Sequence, residues 1–178
     1  MMENSTNMFQ QKAYIFGTIF TLSNRLQVLG DKFDKNITTK QWLFIIGVSK
    51  FDKPPTISEV ANFIGYSRQN AKRIAAALHD RGYVSISKDK NDARASRIEL
   101  TVKCVEYFRK RDKREIEFLE KIFTRFDAEL THSVYKGLIK LKQNIKAVML
   151  SEENATWREI CYEKEEQEDH VHYNRVSD

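Results

Sequence analysis

The sequence predicts a mainly α-helical fold with a small β wing, a winged helix-turn-helix set between N- and C-terminal helices that form a dimerisation lobe. Three observations predict it. Residues Thr56–Thr101 read as a capped short helix, a glycine turn, a second capped helix and a hairpin. The first thirty or so residues carry an apolar stripe wider than one helix face needs. Two further long helical runs follow the hairpin. On this pattern residues 1–36 form an N-terminal dimerisation helix and 37–101 the winged helix-turn-helix. Residues 102–150 form C-terminal dimerisation helices, and 151–178 an acidic tail expected to be flexible.

After about eight polar residues, the first helix is expected over Phe9–Phe33. Tyr14, Ile15, Thr18, Ile19, Leu22, Leu26 and Leu29 recur at helical spacing, and Phe16 and Phe20 widen the stripe. A terminal helix so apolar has more to bury than its own domain offers, and a second copy is the simplest cover. Gly17 within it costs about 1 kcal/mol relative to alanine, which a close helix crossing would offset. The second helix opens at ITTKQW, residues 37–42, with Thr38 as cap, and Pro54 and Pro55 end the run.

Thr56 and Glu59 have the spacing of a capping box. Ile57, Val60, Ala61 and Ile64 share one face of the helix they start, and Gly65 permits the sharp turn. Ser67 caps the next helix, whose inward face is Ala71, Ile74, Ala75 and Leu78 and whose stop is Gly82. Its other face carries Arg68, Gln69, Asn70, Lys72 and Arg73. These are side chains that reach phosphates and base edges, placed where a helix-turn-helix puts its reading residues. Gln69 and Asn70 suit base edges, because a terminal amide pairs bidentately with adenine, and Lys72 and Arg73 suit phosphate. Strands over Tyr83–Lys88 and Ser96–Thr101 enclose a polar turn with Arg94 near its tip, which reads as the wing. The pattern points to a DNA-binding domain.

A single long helix is expected over Val102–Phe126, with the charged middle RKRDKREIE at 109–117 taken as solvated. A second is expected over Ala128–Leu150, carrying Leu130, Val134, Leu138, Leu141, Ile145 and Val148. Phe16, Phe20, Leu138, Leu141 and Ile145 are the residues expected at the dimer two-fold. A short helix around Trp157–Tyr162 is the only structure expected in the tail.

Charge supports a polyanionic partner. The net charge is +5, but residues 1–150 hold 27 Lys and Arg against 16 Asp and Glu, whereas 151–178 hold 3 against 9. The body is therefore +11 and the tail −6. No apolar run reaches the roughly 18 residues of a membrane span, and no secretion leader is legible at the N-terminus. The two cysteines, Cys104 and Cys161, cannot make a disulfide framework, so a reducing cytoplasm is the expected compartment. Cys104 reads as a buried structural thiol. Cys161, His170 and His172 lack metal-ligand spacing, so no metal or cofactor is expected. No nucleophile–base pair, phosphate-cradling glycine loop or paired carboxylates argue for an enzyme.

Three segments in order resemble the MarR family of multiple-antibiotic-resistance-type regulators. ITTKQW resembles the L-T-x-x-Q-W opening of that family's second helix. YSRQNAKRIAAALHDRGYV resembles its recognition helix and following strand. DKNDARASRIELT resembles the D-P-x-D-x-R…L-T wing, with Asp89, Asp92, Arg94, Leu100 and Thr101 on matching positions. Lys90, Ala93 and Val102 depart from the pattern. The resemblance, over residues of roughly 9–150, implies a homodimeric transcription regulator, a repressor in the family's manner, on a pseudo-palindromic operator of double-stranded DNA. It implies that Ser67, Arg68, Gln69, Asn70, Lys72 and Arg73 face the major groove, that Arg94 is the wing arginine, and that Asp92 holds the wing turn. It also implies a small-molecule effector pocket between lobe and reading domain, for which Phe20, Trp42 and Ile46 are the expected lining. The alternative is a winged-helix module that binds protein, which binding to DNA that weakens steeply with salt would exclude.

Overall fold

The computed structural model describes residues 2–89 and 95–173, with side chains described for 6–89 and 95–152. In chain order the elements are α1 (Met2–Phe33), α2 (Thr39–Val48), α3 (Ile57–Ile64), α4 (Arg68–Asp80), β1 (Val84–Lys88), β2 (Ser96–Leu100), α5 (Val102–Arg109), α6 (Asp112–Ile122) and α7 (Ala128–Tyr173). The mainly helical class with a two-stranded wing is as the sequence predicts. The chain divides into two compact units, Met1–Glu115 and Ile116–Asp178.

The core of the first unit lies among α2, α3, α4 and the wing. Phe44, Val60, Ala71, Ala75, Leu78, Val84, Ile98 and Cys104 are all buried there. The expected Thr56 capping box forms, and the expected Thr38 cap proves to be a capping box as well. Thr38 accepts from Gln41 N–H at 3.3 Å while Gln41 Oε1 accepts from Thr38 N–H at 3.1 Å. Thr56 accepts from Glu59 N–H at 3.2 Å and Glu59 returns the bond at 2.6 Å. Those bonds, from the Thr56 backbone first and its side chain second, hold the Glu59 carboxyl below the usual carboxylate range. Gly65 sits at φ 74°, the left-handed conformation its turn requires. β1 and β2 pair antiparallel in the register Val84 to Leu100, Ile86 to Ile98 and Lys88 to Ser96.

Three expectations about elements need correction. The first helix does not start at Phe9; it runs back to Met2, so the polar leader is helical. The single helix expected over Val102–Phe126 is two, broken at Lys110 and Arg111, where Arg111 N–H bonds Phe108 O at 2.8 Å in a tight turn. Arg111 itself is only 8% exposed, so the charged run is not uniformly solvated. In place of a short helix in the tail, α7 continues without interruption to Tyr173. Within the chain Gly17 meets nothing within 4 Å, and close helix approaches fall at Gly30 and Gly47. A Cβ on Gly30 would sit 2.3 Å from Thr39 Oγ1, and one on Gly47 would sit 2.7 Å from Ile64 Cγ2.

In the second unit, Arg125 adopts φ 67° in the turn that ends α6, and Phe123 stacks edge-on to Phe126 at 5.3 Å. Asp127 then caps α7 by accepting from Leu130 N–H at 2.8 Å. No helix is long and apolar enough to cross a membrane among the described residues.

Candidate nucleic-acid interface

The reading helix is α4. Its inner face, Ala71, Ile74, Ala75 and Leu78, is fully committed to the core. That fixes the outer face by helical geometry. Arg68, Gln69, Lys72 and Arg73 are exposed on it, and Asn70 is half-buried. Ser67 spends its hydroxyl on the cap, accepting from Asn70 N–H at 3.3 Å. Arg73 donates to Asn70 Oδ1 at 3.3 Å, so these two predicted contact residues also hold each other. The candidates therefore gather on one exposed face at the N-terminal end of one rigid helix.

Two polar anchors hold the wing, one to this helix and one to the cap of α3. Thr101 Oγ1 donates to Gly82 O at 2.7 Å, at the stop of α4, and accepts from Cys104 N–H at 3.2 Å as the cap of α5. One hydroxyl thus ties the end of the reading helix to the end of the hairpin. At the other edge Arg97 pairs with Asp89 and donates to Pro54 O. Ile98 N–H bonds Pro55 O at 2.9 Å, and Thr56 bridges to Arg97, so the wing base is joined to the cap of α3. Arg94 and Asp92, the predicted wing cation and wing-turn residue, lie outside the described residues. Nothing in the sequence marks Arg97: the wing motif offers no signal that the Pro54 carbonyl lies within its reach.

The remaining predicted sites are more scattered. Trp42 packs half-buried against the core, Ile46 is partly exposed, and Phe20 lies exposed on α1. Of the expected two-fold residues, Phe16, Phe20, Leu138 and Ile145 are each more than half exposed, and Leu141 is half-buried. Phe16 and Phe20 stack edge-on at 5.1 Å. Cys104 is fully buried, which pushes its thiol up to about 11. Among the described residues no group of three His, Cys, Asp or Glu side chains gathers where a metal ion would sit.

One ionic site was not legible in the sequence. Asp34, just after α1, pairs with Arg111 and accepts from the Tyr107 hydroxyl at 2.7 and 2.9 Å. Burial pushes the Asp34 carboxyl up, but the Tyr107 hydroxyl, the Asn36 N–H and the Arg111 charge together outweigh it and hold the carboxyl below its usual value. Burial first, and the bond to Asp34 second, push the Tyr107 phenol up.

Residues 35–95 match the model of the MarR family. No curated relative matches the chain. Among solved structures, a MarR transcriptional regulator from Methanosarcina mazei Go1 superposes with TM-score 0.69 at 22% identity, over 76% of this chain and 99% of that one. A MarR protein from Peptoclostridium difficile gives TM-score 0.66 at 23% identity, over 74% and 86%. The PcaV transcriptional regulator from Streptomyces coelicolor, solved in complex with its natural ligand, gives 0.61 at 17% identity, over 71% and 89%. The matched segment spans α2, α3, the reading helix and the first strand of the wing; over it the chain resembles the MarR family model, and its fold is that of these winged-helix structures.

Proposed function

We propose that the chain acts as a homodimer on a pseudo-palindromic operator in double-stranded DNA, as a cytoplasmic repressor of transcription rather than an enzyme. Each subunit lays α4 in the major groove, with Gln69 and Asn70 towards base edges and Arg68, Lys72 and Arg73 towards phosphates. Ser67 sits beside the backbone at the helix start, and Arg94 reaches the minor groove or its phosphates from a wing turn held by Asp92. The observation that carries this reading is the exposed row of cations and amides on a helix whose opposite face is locked into the core.

The exposed apolar stripes of α1 and α7 support the dimer, since stable monomers rarely leave patches beyond a few hundred Å² uncovered. A small-molecule effector bound near Phe20, Trp42 and Ile46 would release DNA by changing the separation of the two heads.

The test is duplex binding across a salt series with two variants. Lys72→Ala is expected to weaken all sequences alike and to lower the salt slope by about 1. Gln69→Ala is expected to change base preference, by about 1–3 kcal/mol at one operator position. Identical sequence profiles for the two variants would sink the division of roles, and binding indifferent to salt would sink the DNA reading.

A further inference from the structure

The Asp34–Arg111 ion pair is buried on both sides, its side chains 8% and 9% exposed. Charges so placed are costly unless partners are supplied, and here several elements supply them to the Asp34 carboxylate and the terminal nitrogens of Arg111, while Arg111 Nε makes no hydrogen bond among the described residues. Asp34 takes the Tyr107 hydroxyl on both oxygens and the Asn36 N–H at 2.8 Å. Arg111 lies 5.3, 5.4 and 5.0 Å from the ring centroids of Phe33, Tyr107 and Phe108. Its second terminal nitrogen reaches Glu115 at 2.8 Å. The end of α1, the end of α5 and the first turn of α6 therefore meet at one guanidinium.

The same cluster is bonded to the reading helix. Arg81, the C-cap of α4, donates to the Asn36 carbonyl, while the Asn36 amide donates to Asp34. Tyr107 stacks edge-on against Tyr83 at 5.3 Å. An apolar contact between helices slides readily. A forked guanidinium paired with two carboxylates reaches both in one arrangement only.

We propose that Arg111 and Asp34 are positioning residues that fix the direction in which α1 and the start of α6 leave the reading head, and thereby set the half-site separation that the dimer accepts. This rests on the dimeric DNA-binding reading above. Helices that leave the head at one angle hold two heads at one separation. Helices free to swing would accept several.

The experiment uses the full-length chain and the best duplex it selects from a random library, remade with one base pair added or removed between the half-sites. The parent is expected to lose about tenfold in affinity on either change. The double variant Asp34→Asn/Arg111→Met removes both charges of the buried pair and leaves only Glu115, its side chain 28% exposed, without its cation. Assayed well below its melting temperature, it is expected to lose less than about threefold on either change. Loss of stability alone would not move that ratio. Tyr107→Phe keeps the ring and removes only the hydroxyl, so it serves if the double variant does not fold, and the same flattening is expected to a smaller extent. A parental spacing ratio in the variants that fold overturns the proposal. Failure of the parent to bind any duplex is a distinct result, which removes the DNA-binding reading and the proposal with it.

Discussion

Thr101 shows how a residue of a short motif acts, since its hydroxyl bonds the stop of one helix and caps the next. The L-T pair was visible in the sequence through the resemblance of the wing motif, and its capping role was not. Arg111 and Arg97 were not visible. Each is one cation among several in a charged stretch, and what distinguishes it is a partner far along the chain, Asp34 for one and the Pro54 carbonyl for the other. Cys104 lies between these cases: its burial follows from helical spacing, its inertness from full enclosure. With the thiol raised to about 11, almost none is thiolate at pH 8. Iodoacetamide at that pH is therefore expected to leave Cys104 unmodified in the native protein and to label it fully once urea unfolds the chain, as peptide mass mapping would show. Rapid native labelling at Cys104 would mean that α5 opens locally from the core.

At the scale of elements, caps and turns were the most legible features. Both capping boxes, the Ser67 cap and the left-handed Gly65 are set by residues three or four apart. The break between α5 and α6 was not legible, because the residue at it, Arg111, pairs with a carboxylate far along the chain. The role of Gly47 was equally hidden. Nothing in its neighbours along the chain says that α3 crosses α2 there, yet an added Cβ would lie 2.7 Å from Ile64 Cγ2 and 3.2 Å from Val60 Cγ1. Both neighbours are β-branched and stiff at χ1, so neither gives way easily. Gly47→Ala is expected to destabilise the chain by about 1–3 kcal/mol despite the better helix propensity of alanine. An unchanged urea midpoint would mean that α2 and α3 can separate at little cost.

At the scale of the whole molecule, charge and apolar surface are segregated along the chain, and α7 carries both. Its stripe of Val134, Leu138, Leu141, Ile145 and Val148 ends before residue 150, and the 23 residues from Ser151 to Tyr173 continue the helix for about 35 Å. Eight of the tail's nine acidic residues lie on that extension. The −6 of residues 151–178 is thus borne mainly on a continuous helix, opposite in sign to the +11 of the body. Removing residues 151–178 is expected to tighten binding to random-sequence duplex at about 0.01 M salt, where charges act over about 30 Å. By about 0.15 M the reach falls to about 8 Å, and the difference between fragment and full chain is expected to disappear. The apolar stripe survives the cut, so the 1–150 fragment is expected to sediment as a dimer at micromolar concentration. A monomeric fragment would assign subunit contact to the acidic extension, and tighter binding that persists at 0.15 M would mean that the extension blocks the DNA face directly instead of repelling DNA at a distance.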